Sequence, residues 1–490
     1  MRLRKMVLNL DRAAGDTLVR RIADAIGREI REGRLKPGTE LPGSRALAED
    51  LGVARNTLAA ALDRLVEEGW LVNEPWRGTF VAERPPAPSG PAVPDPGAPA
   101  RAAAPGFDLP SRFTPVTAEV PGVLDLREGT ADSRLAPLEL LGQAYRRALT
   151  RHGGKLLGEG EPQGNQLLRE VLAEWIAERH GVLVEPGQVL VTGGARMALQ
   201  VACAALLRPG AVVGVEEPGN RAAWEIIRRT GQARLRPLPV DEHGLVPDGL
   251  EQALREEPLR MVYTTPRRQN PTGSVLPTDR AARLLELAAV HRVAVFEDDS
   301  EGEIHFGDPA PVPLLARDST GQVVFAGSLA RILAPGANLG FLVAPAPLLS
   351  PLARIRRDLA GRGDRVLEWA LADFIRDGEL ARHLRRVRRT YAERRDLLAD
   401  LLRLELGGHL SFSLPDGGLA LWLRAEGGLG LEGLVGAARR EGLLLHPPGR
   451  FFLGEAWPCT RMAFAQADPD GLREAVRRLK AARDKTEEAT

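Results

Sequence analysis

The segment GRLKPGTELPGSRALAEDLGVARNTLAAALDRLVEEGWLVNEPWRGTFVA, residues 33–82, reads as two short helices followed by two short strands. Ser44 stands where an N-cap belongs, ahead of Leu47 and Leu51, and Gly52 ends that helix. From Arg55 to Gly69, Leu58, Leu62 and Leu65 fall on one face of the next helix. WLVNEPWRGTFVA (70–82) then gives two apolar strands around a turn containing Arg77 and Gly78. Upstream, Leu18, Ile22, Ile26 and Ile30 recur every four residues, and Gly33 stops that helix. Three helices and a hairpin predict a winged helix-turn-helix.

In such a unit the second helix of the motif enters the major groove with its first turn against base edges. Here that turn is Arg55-Asn56-Thr57. Arginine pairs bidentately with guanine and asparagine with adenine, while threonine can touch a phosphate or a methyl group. Arg45 opens the preceding helix within reach of a phosphate, and Arg77 and Gly78 tip the wing beside the minor groove. Residues 1–82 carry 14 basic and 12 acidic side chains. Affinity for a double-stranded operator therefore has to come from a local patch, presented twice in a dimer.

Outward from this unit the composition changes. Residues 84–110, RPPAPSGPAVPDPGAPARAAAPGFDLP, are rich in Pro, Ala and Gly and read as an extended linker. They part a domain of residues 1–83 from a larger one of residues 111–490. In the larger part, apolar strands at 188–192, 211–217, 233–240, 260–266, 293–299, 322–327 and 338–344 alternate with amphipathic helices. That alternation predicts an α/β fold with a mostly parallel sheet covered by helices on both faces. From about residue 351 a long Arg-rich helical stretch and the strands at 411–424 and 461–466 suggest a smaller C-terminal α+β subdomain. The basic run His383–Arg389, with Arg394 and Arg395, reads as the solvated face of a helix rather than a second DNA contact.

Composition narrows the function. The chain has 490 residues with 66 Lys+Arg against 65 Asp+Glu, so an all-over cationic coat for unspecific nucleic-acid binding is excluded. Cys203 and Cys459 make neither a disulfide framework nor a cysteine-based zinc site, and no metal site is expected. No apolar run approaches the roughly 18 residues that span a bilayer, and the N-terminus is unlike a secretory signal; a cytoplasmic protein without membrane contact is expected. Lysine occurs only at positions 5, 36, 155, 480 and 485.

Residues 33–82 resemble the GntR-type winged helix along nearly their whole length, with Ala54 where that family usually has a hydroxyl N-cap. Beyond the linker, GEGEPQG (158–164), TGGARMAL (192–199), EEPGN (216–220), QNPTG (269–273), EDDSEGE (297–303), GSLARILAPGANLGF (327–341) and RMAF (461–464) resemble, in order and spacing, the fold-type I aminotransferases. The two joined resemble the MocR subfamily of transcription regulators. The resemblance implies a pyridoxal phosphate site, a Schiff-base lysine and a head-to-tail homodimer.

The lysine ends a G-S-x-x-K string in that family; here the string reads Gly327-Ser328-Leu329-Ala330-Arg331. Arginine stays protonated and is no amine nucleophile. No catalytic residue and no covalent cofactor are expected, and pyridoxal phosphate, though implied by the family, is in doubt. By the same resemblance, Asn338 replaces a phosphate-binding arginine, Ser300 a cofactor-contacting tyrosine, Glu159 a phosphate-binding tyrosine and Asn220 a ring-stacking aromatic. Asp298, Asn270, Ser328, Gly194, Ala195 and Arg461 match, respectively, the partner of the ring nitrogen, polar contacts to ring oxygen and phosphate, the helix start facing an anion, and the arginine that holds a substrate carboxylate. Asp298 as a loop cap and NPTG as a plain turn remain open. The sequence thus points to a DNA-binding regulator whose degenerate large domain dimerises and holds a polar or zwitterionic effector non-covalently. The alternatives are an active aminotransferase and a large domain without ligand.

Overall fold

A computed structural model describes residues 17–86, 122–158, 160–361 and 363–487. It divides into two compact units, Met1–Val116 and Thr117–Thr490. Most of the expected linker, and Glu159, lie outside the described residues.

In the first unit, α1 (Leu18–Arg31), α2 (Ser44–Leu51) and α3 (Arg55–Glu67) precede a hairpin of β1 (Leu71–Glu74) and β2 (Gly78–Val81). Ile22, Ile26, Leu47, Leu58, Leu65, Leu71 and Val81 close one core from all five elements. Ser44 is not the cap of α2. Gly43 takes that position without a side-chain bond, and Ser44 is the first helical residue. Ala54 likewise starts α3 without a cap bond.

The second unit begins with β3 (Leu124–Asp125), α4 (Leu138–His152) and α5 (Gln166–His180). Its large sheet uses β4 (Val189–Thr192), β5 (Val212–Glu217), β6 (Arg234–Asp241), β7 (Gly244–Leu245), β8 (Met261–Thr264), β9 (Ala294–Asp299), β10 (Val323–Ser328) and β11 (Gly340–Val343). Between these strands run α6 (Ala195–Leu206), α7 (Arg221–Gly231), α8 (Pro247–Glu256) and α9 (Thr278–His291). The sheet order is β4-β11-β10-β9-β8-β5-β6-β7. Pairing is parallel from β10 to β6, while β4, β11 and β7 pair antiparallel. Neighbouring side chains of one strand enter opposite cores: Val295 joins Leu284 of α9, and Phe296 joins Ala198 of α6. That alternation is why both faces need helices.

The remainder holds α10 (Ala346–Ala360), α11 (Arg365–Arg376), α12 (Glu379–Leu406), β12 (Leu410–Ser411), β13 (Ala420–Ala425), α13 (Leu431–Arg440), β14 (Leu443–Leu444), β15 (Cys459–Ala463) and α14 (Pro469–Glu487). Strands β12, β13 and β15 form an antiparallel sheet. Strand β3 pairs with β14, so this subdomain also draws on the start of its unit rather than on residues after 350 alone. The basic run on α12 is not a solvated face throughout. Arg388 donates to Glu303 O at 2.8 Å, His383 is buried against Ile332 O, and Arg394 pairs with Asp132 at 2.9 Å. Arg385, Arg386 and Arg389 are exposed, as expected of a solvated face, with Arg389 held to Glu393 at 3.1 Å.

Candidate functional site

Parallel strands leave a crevice at their carboxyl ends. Here the loops after β4, β5, β8, β9 and β10 line a cavity of about 330 Å³. Of the residues singled out from sequence, Gly194, Ala195, Asn220, Asn270, Asp298, Ser300, Ser328, Arg331 and Asn338 share it. Arg461 borders a smaller neighbouring cavity that also touches Asn220 and Asn270.

Gly194 caps α6 with φ 92°, a left-handed setting that favours glycine. A Cβ there would lie 3.4 Å from Asn338 Oδ1, which places the Asn338 side chain at the helix start. Ser328 ends β10 and is buried. Arg331 follows in the next turn, and its Nη1 is buried without a hydrogen-bond partner. A guanidinium beside a helix N-terminus attracts an anion by charge and by dipole.

Asp298 is engaged inside the protein. Its Oδ2 accepts from Tyr263 OH at 2.7 Å. Its Oδ1 accepts from Ser300 N at 3.1 Å and from the Ser300 hydroxyl. Asn220 Nδ2 donates to Tyr263 OH at 3.1 Å, and Asn220 Oδ1 caps α7 through Ala222 N. Burial and the charge of Asp298 hold the Tyr263 phenol well above its usual range, so it stays a donor. Asn220 and Ser300 thus have defined hydrogen-bonding work in this structure, whatever they replaced.

Several lining residues escape sequence reasoning: Glu128, Arg196, Arg268 and Glu301. Arg268 is buried, donates to Arg267 O and Asp416 O, and has its pKa lowered to about 10 by burial and by Arg267. His446 sits 3.1 Å from a Glu128 oxygen. That bond first, and the charges of His446, Arg461 and Arg331 after burial is set against them, pull the Glu128 carboxyl down to about 2. Glu301 accepts from Arg461 with both oxygens at 3.0 Å. Glu301 lies within the EDDSEGE motif, but its partner is remote in sequence and no local signal joins them.

The residues present can be weighed against pyridoxal phosphate. The unpartnered Arg331 nitrogen, Ser328 and the start of α6 suit a phosphate group. Asp298 offers its carboxylate only alongside the three donors it already accepts. Among the described residues, no lysine lines the cavity.

Beneath the cavity, His180, Asp299 and Glu303 bring possible metal-ligand atoms within 4.8 Å of one another. Arg267 holds Asp299 at 2.6 Å, and Arg179 and Arg388 hold Glu303 at 2.6 and 3.4 Å. Three guanidiniums already answer those two carboxylates, an unfavourable field for a cation.

In the first unit, Arg55 and Asn56 are exposed and Thr57 is half-buried at the start of α3. Arg45 is exposed, 3.9 Å from Glu49. Glu74 pairs with Gly78 across the hairpin, so Gly78 is already in the strand and the tip is Pro75-Trp76-Arg77. Arg77 is tied to Glu74 at 2.6 Å. Trp76, which carries no signal in the sequence, is fully exposed at φ 67°.

Residues 18–81 match the family of bacterial regulatory proteins called gntR, and residues 122–479 match aminotransferase class I and II. The probable rhizopine catabolism regulatory protein MocR of Rhizobium meliloti is 33% identical over 483 residues, spanning 97% of this chain and 96% of that protein. The HTH-type transcriptional regulator TauR of Rhodobacter capsulatus is 31% identical, spanning 94% of this chain and 96% of its own. The solved structure of LysN, an alpha-aminoadipate aminotransferase from Thermus thermophilus in complex with N-(5'-phosphopyridoxyl)-L-leucine, superposes with TM-score 0.70 at 31% identity, covering 76% of this chain and 94% of that one. Among the described residues, no helix is long and apolar enough to cross a membrane.

Proposed function

The chain belongs to the MocR-type transcription regulators, a GntR winged helix joined to an aminotransferase class I and II domain, and from that premise we propose that its large domain is a non-covalent effector sensor without transaminase turnover. The observation that carries this reading is Arg331: it ends the G-S-L-A-R string, its Nη1 is buried and unpartnered, and no lysine among the described residues lines the cavity beside it. Pyridoxal phosphate, when bound through a lysine, supplies an electron sink for amino-acid chemistry. That attachment requires an unprotonated amine, and a guanidinium does not lose its proton at physiological pH.

What the chain's own groups do is bind and orient. Arg331, Ser328 and the first turn of α6 hold the anionic end of an effector. Asp298, fixed by Tyr263 and Ser300, accepts a donor from its other end. On the DNA side, Arg55, Asn56 and Thr57 read base edges while Arg45 and the wing settle the backbone. A head-to-tail homodimer, with one winged helix set against the large domain of its partner, presents two reading heads to a two-part operator. A cytoplasmic location goes with this role.

The test compares the native chain with R331K after incubation with pyridoxal phosphate and borohydride. The expected result, read by peptide mapping, is no pyridoxyl adduct on any cavity residue of the native chain, with an adduct at position 331 in R331K. A reducible adduct on the native chain at any site in the cavity would overturn the reading.

A further inference from the structure

Arg461 lies on β15 with its side chain 7% exposed, and Glu301 reaches it from the loop after β9 with its own side chain 11% exposed. Both Glu301 oxygens sit 3.0 Å from Arg461 Nη2. The guanidinium is also packed closely against Gly129. A Cβ on Gly129 would stand 3.1 Å from that same Nη2 and 2.8 Å from Leu419 Cβ. A buried arginine without a counter-charge is costly, and Glu301 supplies the charge from within the chain.

The contrast with Arg331 is direct. Arg331 keeps an unpartnered Nη1, whereas Arg461 already holds a carboxylate through its Nη2, with its buried Nε unpartnered. A ligand carboxylate approaching Arg461 therefore meets Glu301 as competitor and as like charge. Glu128, itself ionised and close enough to feel Arg461, adds to the repulsion. A tethered group competes at roughly millimolar effective concentration even on a flexible linker, and at more when it is held in place. Free amino acids in the low millimolar range do not win that contest.

We propose that Glu301 is a built-in occupant of the Arg461 carboxylate seat, which excludes amino acids and simple organic acids and leaves phosphate-bearing anions at Arg331 as the ligand class. This rests on the reading of the cavity as a non-covalent effector site and narrows it: the zwitterionic effectors expected from sequence are the ones shut out.

Titration calorimetry on the full chain tests it, with L-alanine, inorganic phosphate and pyridoxal phosphate as probes. The native chain is expected to give no heat with L-alanine. E301A should bind L-alanine at least about tenfold more tightly than the native chain, and E301A/R461Q should lose that gain. E301Q keeps the shape of the side chain without its charge and serves if E301A does not fold. L-alanine binding equally to the native chain and E301A, or no gain in a folded Glu301 variant, would overturn the proposal. The phosphate probes report on the underlying reading separately. R331Q should weaken them about tenfold or more in the native chain, and indifference to R331Q would sink the effector site whatever L-alanine does. A response to pyridoxal phosphate alone assigns an ester as the ligand, and an equal response to inorganic phosphate assigns the free ion; both outcomes support the class.

Discussion

Replacing Arg55 with alanine should cost sequence discrimination more than it costs DNA binding. Arg55 is the first residue of α3 and is exposed, so its removal leaves the unit's core of Leu58, Leu62 and Leu65 untouched. A bidentate arginine–guanine contact is worth about 1–3 kcal/mol. A two-fold dimer makes the contact twice, so the loss on a two-part operator is about 2–6 kcal/mol, on the order of 30-fold to 10⁴-fold. Arg77 provides the comparison. It is already paired with Glu74 at 2.6 Å, an exposed pair. It can reach DNA only by giving up or sharing that partner, so R77A should cost less and act alike on all sequences. The assay is fluorescence anisotropy on a duplex selected from a random library by the native chain, alongside a scrambled duplex, across a salt series. R55A should collapse the preference for the selected duplex with a small change in salt slope. R77A should lower the slope by about two, one for each protomer, without changing the preference. If R55A weakens selected and scrambled duplexes by the same factor, the first turn of α3 does not read bases.

Two further outcomes follow from local structure. Ala54 starts α3 with no side-chain cap; A54S should stabilise that start by about 1 kcal/mol, read in the full chain as roughly fivefold slower amide exchange in the first turn of α3, and unchanged exchange would refute it. Burial, and then the neighbouring Asp299, push the Glu297 carboxyl up to about 8. A raised acid stays protonated in the folded state while the unfolded chain has ionised, so stability falls as pH rises from the ordinary 4.5 towards 8. Between pH 6.5 and 8 urea unfolding of the native chain should lose up to about 1.4 kcal/mol per pH unit from this group. E297Q should flatten that slope, and identical slopes would refute the assignment.

The fold was legible where a strand is long enough to carry an apolar run. The seven runs read from the large domain correspond to β4, β5, β6, β8, β9, β10 and β11; β4, β8, β10 and β11 are buried along their whole length, whereas β6 is buried only at Leu238 and Val240. Strand β7 has two residues, too few to carry any pattern. Capping at Ser44 is misleading because a serine one residue into a helix and a serine at its cap look alike without dihedral angles. The long helix α12 misleads in another way. Its arginines are spaced for solvent, yet Arg388 and Arg394 turn inward because carboxylates and carbonyls from Glu303, Asp132 and Ala465 await them from far along the chain. Nine of the eleven residues singled out for the pocket meet in one cavity, since the family's motifs fall at strand ends and strand ends converge.

The departures in that pocket are not independent losses. Ser300 donates to Asp298, and Tyr263 covers the other oxygen of the same carboxylate with Asn220 behind it. Glu301, the next residue along, closes on Arg461. Two adjacent positions therefore engage, from inside the chain, the charged side chains of Asp298 and Arg461. A scaffold drifting at random would leave buried charges unpaired, and each would cost stability. Arg331 shares the cavity with the start of α6 and keeps a buried Nη1 without a hydrogen-bond partner, its charge felt by Glu128. A selective anion receptor needs that arrangement: an open cation in a cavity where the neighbouring Asp298 and Arg461 are already engaged.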